Sequence, residues 1–139
     1  MKRLTRYLAI ATAAMSAAVA MTLATPRTAV SQTLELSPGF AEPTSVTGIA
    51  GGTSESGNCG YISDTPNHEL ILTDDFDYLR VWVNGTENLT LLVRGPGGEF
   101  CAPRDPQQSG YWEAGTYSIF IGDRVGADEN YTLSVSANP

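Results

Sequence analysis

Hydrophobic and polar residues alternate with a period of two along two neighbouring stretches in the middle of the chain. The apolar positions of this pattern are Leu79, Val81, Val83, Leu89, Leu91 and Val93. Such a period predicts two β-strands that each bury one face. The short connection at 84–88 begins with Asn84 and Gly85, which tolerate positive φ, so we predict that the two strands are antiparallel neighbours in a hairpin.

Shorter stretches with strand character extend the pattern over the rest of the chain. They lie at 33–36, 45–49, 59–62, 68–72, 99–101, 111–113, 116–121 and 131–135, and predicted loops separate them at 51–58, 102–110 and 122–130. Beyond the first 31 residues, no segment of the sequence has a helical period with end caps. About eight short strands with frequent turns predict an all-β protein, built as a two-sheet sandwich or a small barrel.

The alternation also assigns strand residues to faces. The predicted core consists of Leu70, Leu72, Leu79, Val81, Val83, Leu89, Leu91, Val93, Tyr117, Ile119, Ile121, Tyr131, Leu133 and Val135. The residues predicted to point outward are Ile71, Arg80, Trp82, Leu92, Arg94 and Phe120.

The first 31 residues have the features of a signal peptide. Three basic residues stand within the first six positions, an apolar stretch follows to about residue 24, and 29–31 offers small residues for cleavage. The apolar stretch is too short and too weak to favour a membrane anchor. We predict a secreted or periplasmic protein, with cleavage near Ser31 and Gln32 or, alternatively, after Ala20 or Ala24. The predicted organisation is a signal peptide at 1–31, an extended segment at 32–44 and one β-domain at 45–139.

Removal of this leader makes the chain strongly acidic. Of eight basic residues four lie in the leader, so four arginines and no lysine remain against 15 acidic residues, a formal net charge of −11. Nucleic acid and anionic membranes are excluded as partners, because a basic face is missing. A cationic ligand or a metal ion is electrostatically easier to bind than these anionic partners.

The mature part contains two cysteines, Cys59 and Cys101. In an exported chain two cysteines more often pair than stay free. A bridge closing a loop of about 42 residues would stabilise the fold by roughly 4 kcal/mol in the chain-entropy model. The alternative is two buried thiols.

The order of these motifs resembles the bacterial pre-peptidase C-terminal domains. The resemblance rests on the segments 75–83, 89–98, 114–122 and 131–135 and covers about 61–136. It implies a jelly-roll-like antiparallel β-sandwich that is non-catalytic, accompanies secreted peptidases, serves secretion, stability or adhesion, and in some members takes calcium. Two features depart from the family: no peptidase domain is attached, and only Asp105 provides a carboxylate after Cys101, where related domains carry several.

Catalysis has little support in the sequence. His68 is the single histidine, and no nucleophile elbow, metalloprotease helix motif or paired-cysteine motif is present. A glycosidase that uses two carboxylates is a third-ranked alternative. We therefore predict no catalytic residues.

Two acidic groups are candidates for a calcium site. Asp74, Asp75 and Asp77 stand at one strand entrance, and Asp123, Asp128 and Glu129 lie in a later loop. Calcium binds several oxygen ligands, but the spacing does not match an EF-hand. The alternative is that these carboxylates solvate turns and prevent edge pairing.

The predicted outward residues Arg80, Trp82, Leu92 and Arg94 form a candidate binding patch. On neighbouring hairpin strands they would share one face. Trp and Arg are enriched among residues that dominate interfaces. We expect a secreted, non-catalytic module that binds a protein or polysaccharide through this patch or through end loops. The alternatives are a patch covered by other segments and a structural or secretion-assisting module for an exported peptidase with no ligand of its own.

Overall fold

The computed structural model describes residues 31–139, so the predicted signal peptide lies outside the described residues except for Ser31. The described chain contains eleven strands: β1 (Gln32–Leu36), β2 (Thr44–Ala50), β3 (Ser54–Glu55), β4 (Tyr61–Ile62), β5 (His68–Leu72), β6 (Phe76–Gly85), β7 (Leu89–Gly95), β8 (Gly98–Ala102), β9 (Gln107–Trp112), β10 (Gly115–Asp123) and β11 (Glu129–Ser136). Over this range no helix forms, and thus none that is long and apolar enough to cross a membrane.

The strands form two sheets that enclose one core, which confirms the predicted all-β sandwich. The larger sheet has the order β1-β5-β10-β7-β8, with the two-residue strands β4 and β3 beside the far end of β10. The smaller sheet has the order β2-β11-β6-β9. All ladders are antiparallel except that between β1 and β5, which is parallel. The predicted loop at 102–110 is wrong in part, because β9 begins at Gln107.

Strands β6 and β7 belong to different sheets, so the predicted hairpin is wrong. β6 pairs with β11 and β9, whereas β7 pairs with β10 and β8. The chain therefore crosses from the smaller to the larger sheet at 86–88. Each strand has an apolar inner face, and both faces are buried in the same core from opposite sides.

The main core contains every residue that the alternation assigned to it. All fourteen predicted residues are buried in one cluster, joined by Leu36, Ala50, Phe76, Ala102 and Trp112. The indole Nε1 of Trp112 donates a hydrogen bond to the carbonyl oxygen of Leu79 at 3.1 Å, so its polar atom is satisfied inside the core.

A second, smaller apolar cluster lies on the outer side of the larger sheet. The predicted disulfide between Cys59 and Cys101 is confirmed, and it packs with Ile62 over Leu92 and Phe120. Leu92 and Phe120 are only 1% and 4% exposed, so their predicted accessibility is wrong. They do point away from the main core, but the chain around the disulfide covers them.

Candidate functional site

The outer side of the smaller sheet carries mainly polar side chains, exposed or half-buried except for buried Ser134, and we call it the polar face. Alternation with the buried core residues places its members outward on four strands. They are Ser45, Thr47 and Ile49 of β2, Asn130, Thr132, Ser134 and Ser136 of β11, Arg80, Trp82 and Asn84 of β6, and Gln107 and Ser109 of β9. Hydroxyl and amide groups dominate this set.

Arg80 and Trp82 lie two residues apart on β6 and contact each other at the centre of the polar face. The guanidinium carbon of Arg80 is 4.6 Å from the centroid of the Trp82 ring, a cation–π contact. Nε of Arg80 donates a hydrogen bond to Oε1 of Gln107 at 3.0 Å, and Nε2 of Gln107 donates to Oδ2 of Asp105 at 2.6 Å. This chain of contacts orients the arginine over the indole, so one side of the ring is occupied by protein.

A shallow groove of about 660 Å³ runs across one end of the polar face. Its walls carry Thr47, Ile49, Asn84, Asn130 and Thr132, and the backbone at Gly48 and Gly85 forms part of its lining. Ile49 is 63% exposed and stands at the margin of the groove. The groove therefore offers hydroxyl and amide groups beside one exposed aliphatic side chain.

The polar face differs in charge from the rest of the molecule. The chain has 15 acidic residues, and none of them is among the twelve residues of this face. Its single charged side chain is Arg80. The twelve side chains themselves therefore include no carboxylate, and carboxylates stand at the margins: Asp105 accepts from Gln107, Glu42 accepts from Ser136, and exposed Asp77 lies near the start of β6.

The predicted four-residue patch does not exist as one surface. Arg80 and Trp82 lie on β6 of the smaller sheet, whereas Leu92 and Arg94 lie on β7 of the larger sheet and face the opposite side of the sandwich. The guanidinium of Arg94 is 4.9 Å from the centroid of the Phe120 ring, and its Nε donates to Oε2 of Glu99 at 2.7 Å. The correction follows from the chain crossing between sheets after β6.

The predicted calcium ligands do not converge. Within residues 31–139, no group of three or more His, Cys, Asp or Glu side chains is arranged to hold a metal ion. Instead, Oδ1 of Asp75 accepts a hydrogen bond from the amide of Ala114, and Oδ1 of buried Asp123 accepts hydrogen bonds from the amides of Val125 and Ala127. Asp74, Asp77 and Asp128 are exposed, and Glu129 is half-buried. These contacts do not test calcium binding by the six acids, which stays a prediction.

His68 lies in the core at one end of the sandwich. It is 1% exposed, and its Nε2 is 2.6 Å from the hydroxyl of Tyr131. Burial lowers the pKa of His68 to about 4, so the imidazole is neutral at physiological pH. A sealed, neutral imidazole without a carboxylate partner is not placed to act as a general base on an external substrate.

Comparison with known proteins gives two similarities. No family model matches the chain. In structure it is similar to PliG, a periplasmic lysozyme inhibitor of g-type lysozyme from Aeromonas hydrophila, with a TM-score of 0.47 and 16% sequence identity over 77% of this chain and 98% of that one. In sequence it is 38% identical over 99 residues to an uncharacterized protein of Synechococcus elongatus, which covers 66% of this chain and 73% of that protein.

Proposed function

The chain belongs to the same family as the uncharacterized protein of Synechococcus elongatus, and we propose that it is an exported, non-catalytic module that binds a neutral polysaccharide through the polar face. The observation that carries this proposal is that none of the twelve side chains of that face is a carboxylate, in a chain with a mature net charge of −11.

The chemistry of the polar face suits a neutral glycan. Sugar hydroxyls donate and accept hydrogen bonds, and the face presents Ser, Thr, Asn and Gln side chains that do the same. Because the glycan is neutral and none of the twelve side chains is a carboxylate, contacts made by these side chains avoid the costly desolvation of a carboxylate. The spread of these groups over four strands matches a long ligand better than a single small molecule.

Trp82 supplies apolar surface in the middle of this polar array. Aromatic rings contribute large contact areas, and the Arg80 guanidinium holds one side of the indole in place. A ring that is already oriented loses little conformational freedom on binding. The other side of the indole and its edge are the contact that we assign to the glycan.

Export is supported by the disulfide. A bridge between Cys59 and Cys101 persists in oxidising compartments such as the periplasm and the extracellular medium. The predicted signal peptide points to the same location. Resemblance to the pre-peptidase C-terminal domains, which we retain as a hypothesis, fits an accessory protein of this kind.

A non-catalytic role is supported by His68. The side chain that sequence reasoning would first test as a general base is sealed in the core and is held neutral. A binding module needs no such group.

Binding can be tested by depletion assays with insoluble cellulose, chitin and amylose. We expect retention of the mature protein on at least one of these glycans, and loss of retention in Trp82→Ala with little change in melting temperature. Phe100→Ala is the matched control, because Phe100 is 39% exposed and lies on β8 of the larger sheet. The proposal fails if the wild-type protein binds none of the three, or if Phe100→Ala reduces retention as much as Trp82→Ala.

A second pair of variants tests the hydroxyl groups. Thr132→Val removes one hydroxyl from the polar face while preserving shape and β-propensity, and Thr116→Val does the same on β10 of the other sheet. We expect weaker glycan binding only in Thr132→Val. Equal effects of the two substitutions would contradict binding through this face.

A further inference from the structure

The sandwich is open along the side where its two sheets end in β8 and β9. β8 pairs only with β7, and β9 pairs only with β6 in the described part of the chain. Each strand therefore leaves one edge of its backbone without a ladder partner. Neither edge carries a lysine or a proline, the residues that most often protect such edges.

Between these two edges lies a groove of about 340 Å³, which we call the edge groove. Phe100 is opposite core residue Val93 in the ladder, so it faces the space between the sheets, yet it is 39% exposed. On the other wall Tyr111 is 60% exposed, and Oε1 of Gln108 is buried with no hydrogen-bond partner among residues 31–139. Two aromatic rings and one unpaired acceptor thus border space that the protein itself does not fill.

The edge groove is negatively charged. Glu99 and Glu113 line it, and none of the basic residues that the structure describes does. A hydrogen bond with Asp75, partial desolvation and the charges of Asp75, Glu113 and Asp77 raise the pKa of Tyr111. The Arg94 guanidinium pairs with Glu99 but lies over Phe120 on the outer side of the larger sheet. Two carboxylates therefore line the groove, and those of Asp75 and Asp77 lie near Tyr111 on its wall.

We propose that the edge groove binds an extended segment of a partner protein that carries Lys or Arg side chains. The unpaired edges of β8 and β9 offer backbone donors and acceptors to an added strand. The aromatic rings contact the aliphatic stems and cationic groups of such side chains, and the carboxylates attract their charge. The acceptor of Gln108 can receive an N–H from the same segment.

The negative charge of the chain indicates which class of partner binds the edge groove. A second copy of this protein would bring the same carboxylates to the groove, and the mature net charge of −11 opposes such pairing. An acidic or neutral glycan would supply no positive charge to the carboxylates of Glu113, Asp75 and Asp77. This site is separate from the polar face, so failure of either proposal leaves the other standing.

The test uses an amide-capped octapeptide of alternating arginine and threonine. Its control is the same peptide with citrulline in place of arginine, which keeps the shape and removes the charge. We expect the arginine peptide to shift the backbone amide resonances of β8 and β9 in ¹⁵N-labelled mature protein. The citrulline peptide should bind more weakly, and added salt should weaken the binding of the arginine peptide.

Matched variants distinguish an effect of the groove carboxylates from an effect of the net negative charge of the protein. Glu113→Gln removes a carboxylate of the groove, and Glu87→Gln removes an exposed carboxylate at the crossing between β6 and β7. We expect the Kd of the arginine peptide to rise about three- to fivefold in Glu113→Gln and to change less than twofold in Glu87→Gln. Phe100→Leu, which keeps an apolar side chain, should also raise the Kd.

Three results would overturn the proposal. They are the absence of shifts at β8 and β9, equal effects of Glu113→Gln and Glu87→Gln, and equal binding of the arginine and citrulline peptides. Equal effects of the two glutamate variants would mean that the peptide responds only to net charge.

Discussion

The Nε2 atom of His68 lies 2.6 Å from the hydroxyl oxygen of Tyr131, and the two residues belong to opposite sheets. Their rings meet edge to face, with centroids 5.7 Å apart and planes at 86°. His68 is 1% exposed and Tyr131 is 4% exposed, so this hydrogen bond joins β5 to β11 within the core. Nδ1 of His68 is also buried and has no partner in the described structure.

Stability should depend on the two residues as a pair. Tyr131→Phe leaves Nε2 of His68 unpaired, and His68→Phe removes the imidazole partner of the Tyr131 hydroxyl, so each substitution should lower the free energy of unfolding by about 1–3 kcal/mol. The double variant replaces both partners with apolar rings, and we expect it to cost clearly less than the sum. Urea denaturation of the four proteins measures this coupling. Strictly additive losses would show that the hydrogen bond does not link the sheets energetically.

The low pKa of His68 predicts a loss of stability in mild acid. Burial lowers this pKa from 6.5 to about 4. As the pH falls from 6.5 towards 4, the unfolded chain takes up a proton at His68 while the folded protein does not. The free energy of unfolding should therefore decrease across this window, by at most about 1.4 kcal/mol per pH unit, and the contribution should be constant above and below it.

Other carboxylates titrate near the same pH, so the measurement needs a reference. The double variant His68→Phe with Tyr131→Phe provides it, because it retains every carboxylate. We expect the difference in unfolding free energy between the wild type and this variant to change between pH 6.5 and about 4. A difference that is independent of pH would refute the assignment to His68.

The disulfide should stabilise both the fold and the cluster beneath it. Replacing Cys59 and Cys101 with alanine should lower the free energy of unfolding by about 2–4 kcal/mol. Because the bridge packs over Leu92 and Phe120, amide hydrogen exchange at Leu92, Phe120 and Ile62 should accelerate more than exchange in β6. Reduction of the wild type with dithiothreitol should reproduce both changes. Unchanged exchange at these three amides would mean that the cluster does not depend on the bridge.

Alternation predicted the faces of the strands well, because it reports which side of each strand is buried whatever its ladder partners are. Leu79 and Leu89 were therefore placed correctly in the core. Ladder partners are not encoded in the same signal. A short connection such as 84–88 can close a hairpin or carry the chain between sheets. The flanking strands show the same alternation of hydrophobic and polar residues in both cases.

The candidate site was only partly predictable for the same reason. Arg80 and Trp82 share a strand, so their contact follows from the period of two. Thr47 and Thr132 were missed because hydroxyl residues give little contrast with their surroundings, although they alternate with core residues in β2 and β11. Gln107 was missed because Pro103 and Pro106, which precede it, predicted a loop there. A search for polar residues that alternate with predicted core positions would have found Thr132, which lies between Tyr131 and Leu133.

The crossing between the sheets should tolerate no side chain at Gly85, the last residue of β6. A Cβ atom at this position would collide with Leu89 Cδ1 and lie 2.9 Å from the carbonyl oxygen of Asn130, which is backbone and cannot move freely. We expect Gly85→Ala to lower the free energy of unfolding by about 1–3 kcal/mol. The matched control is Gly97→Ala, where a Cβ atom meets nothing within 4 Å, so that change should be neutral or slightly stabilising. Thermal denaturation compares the two variants, and equal stability would show that Leu89 and Asn130 do not close around Gly85 as the structure has them.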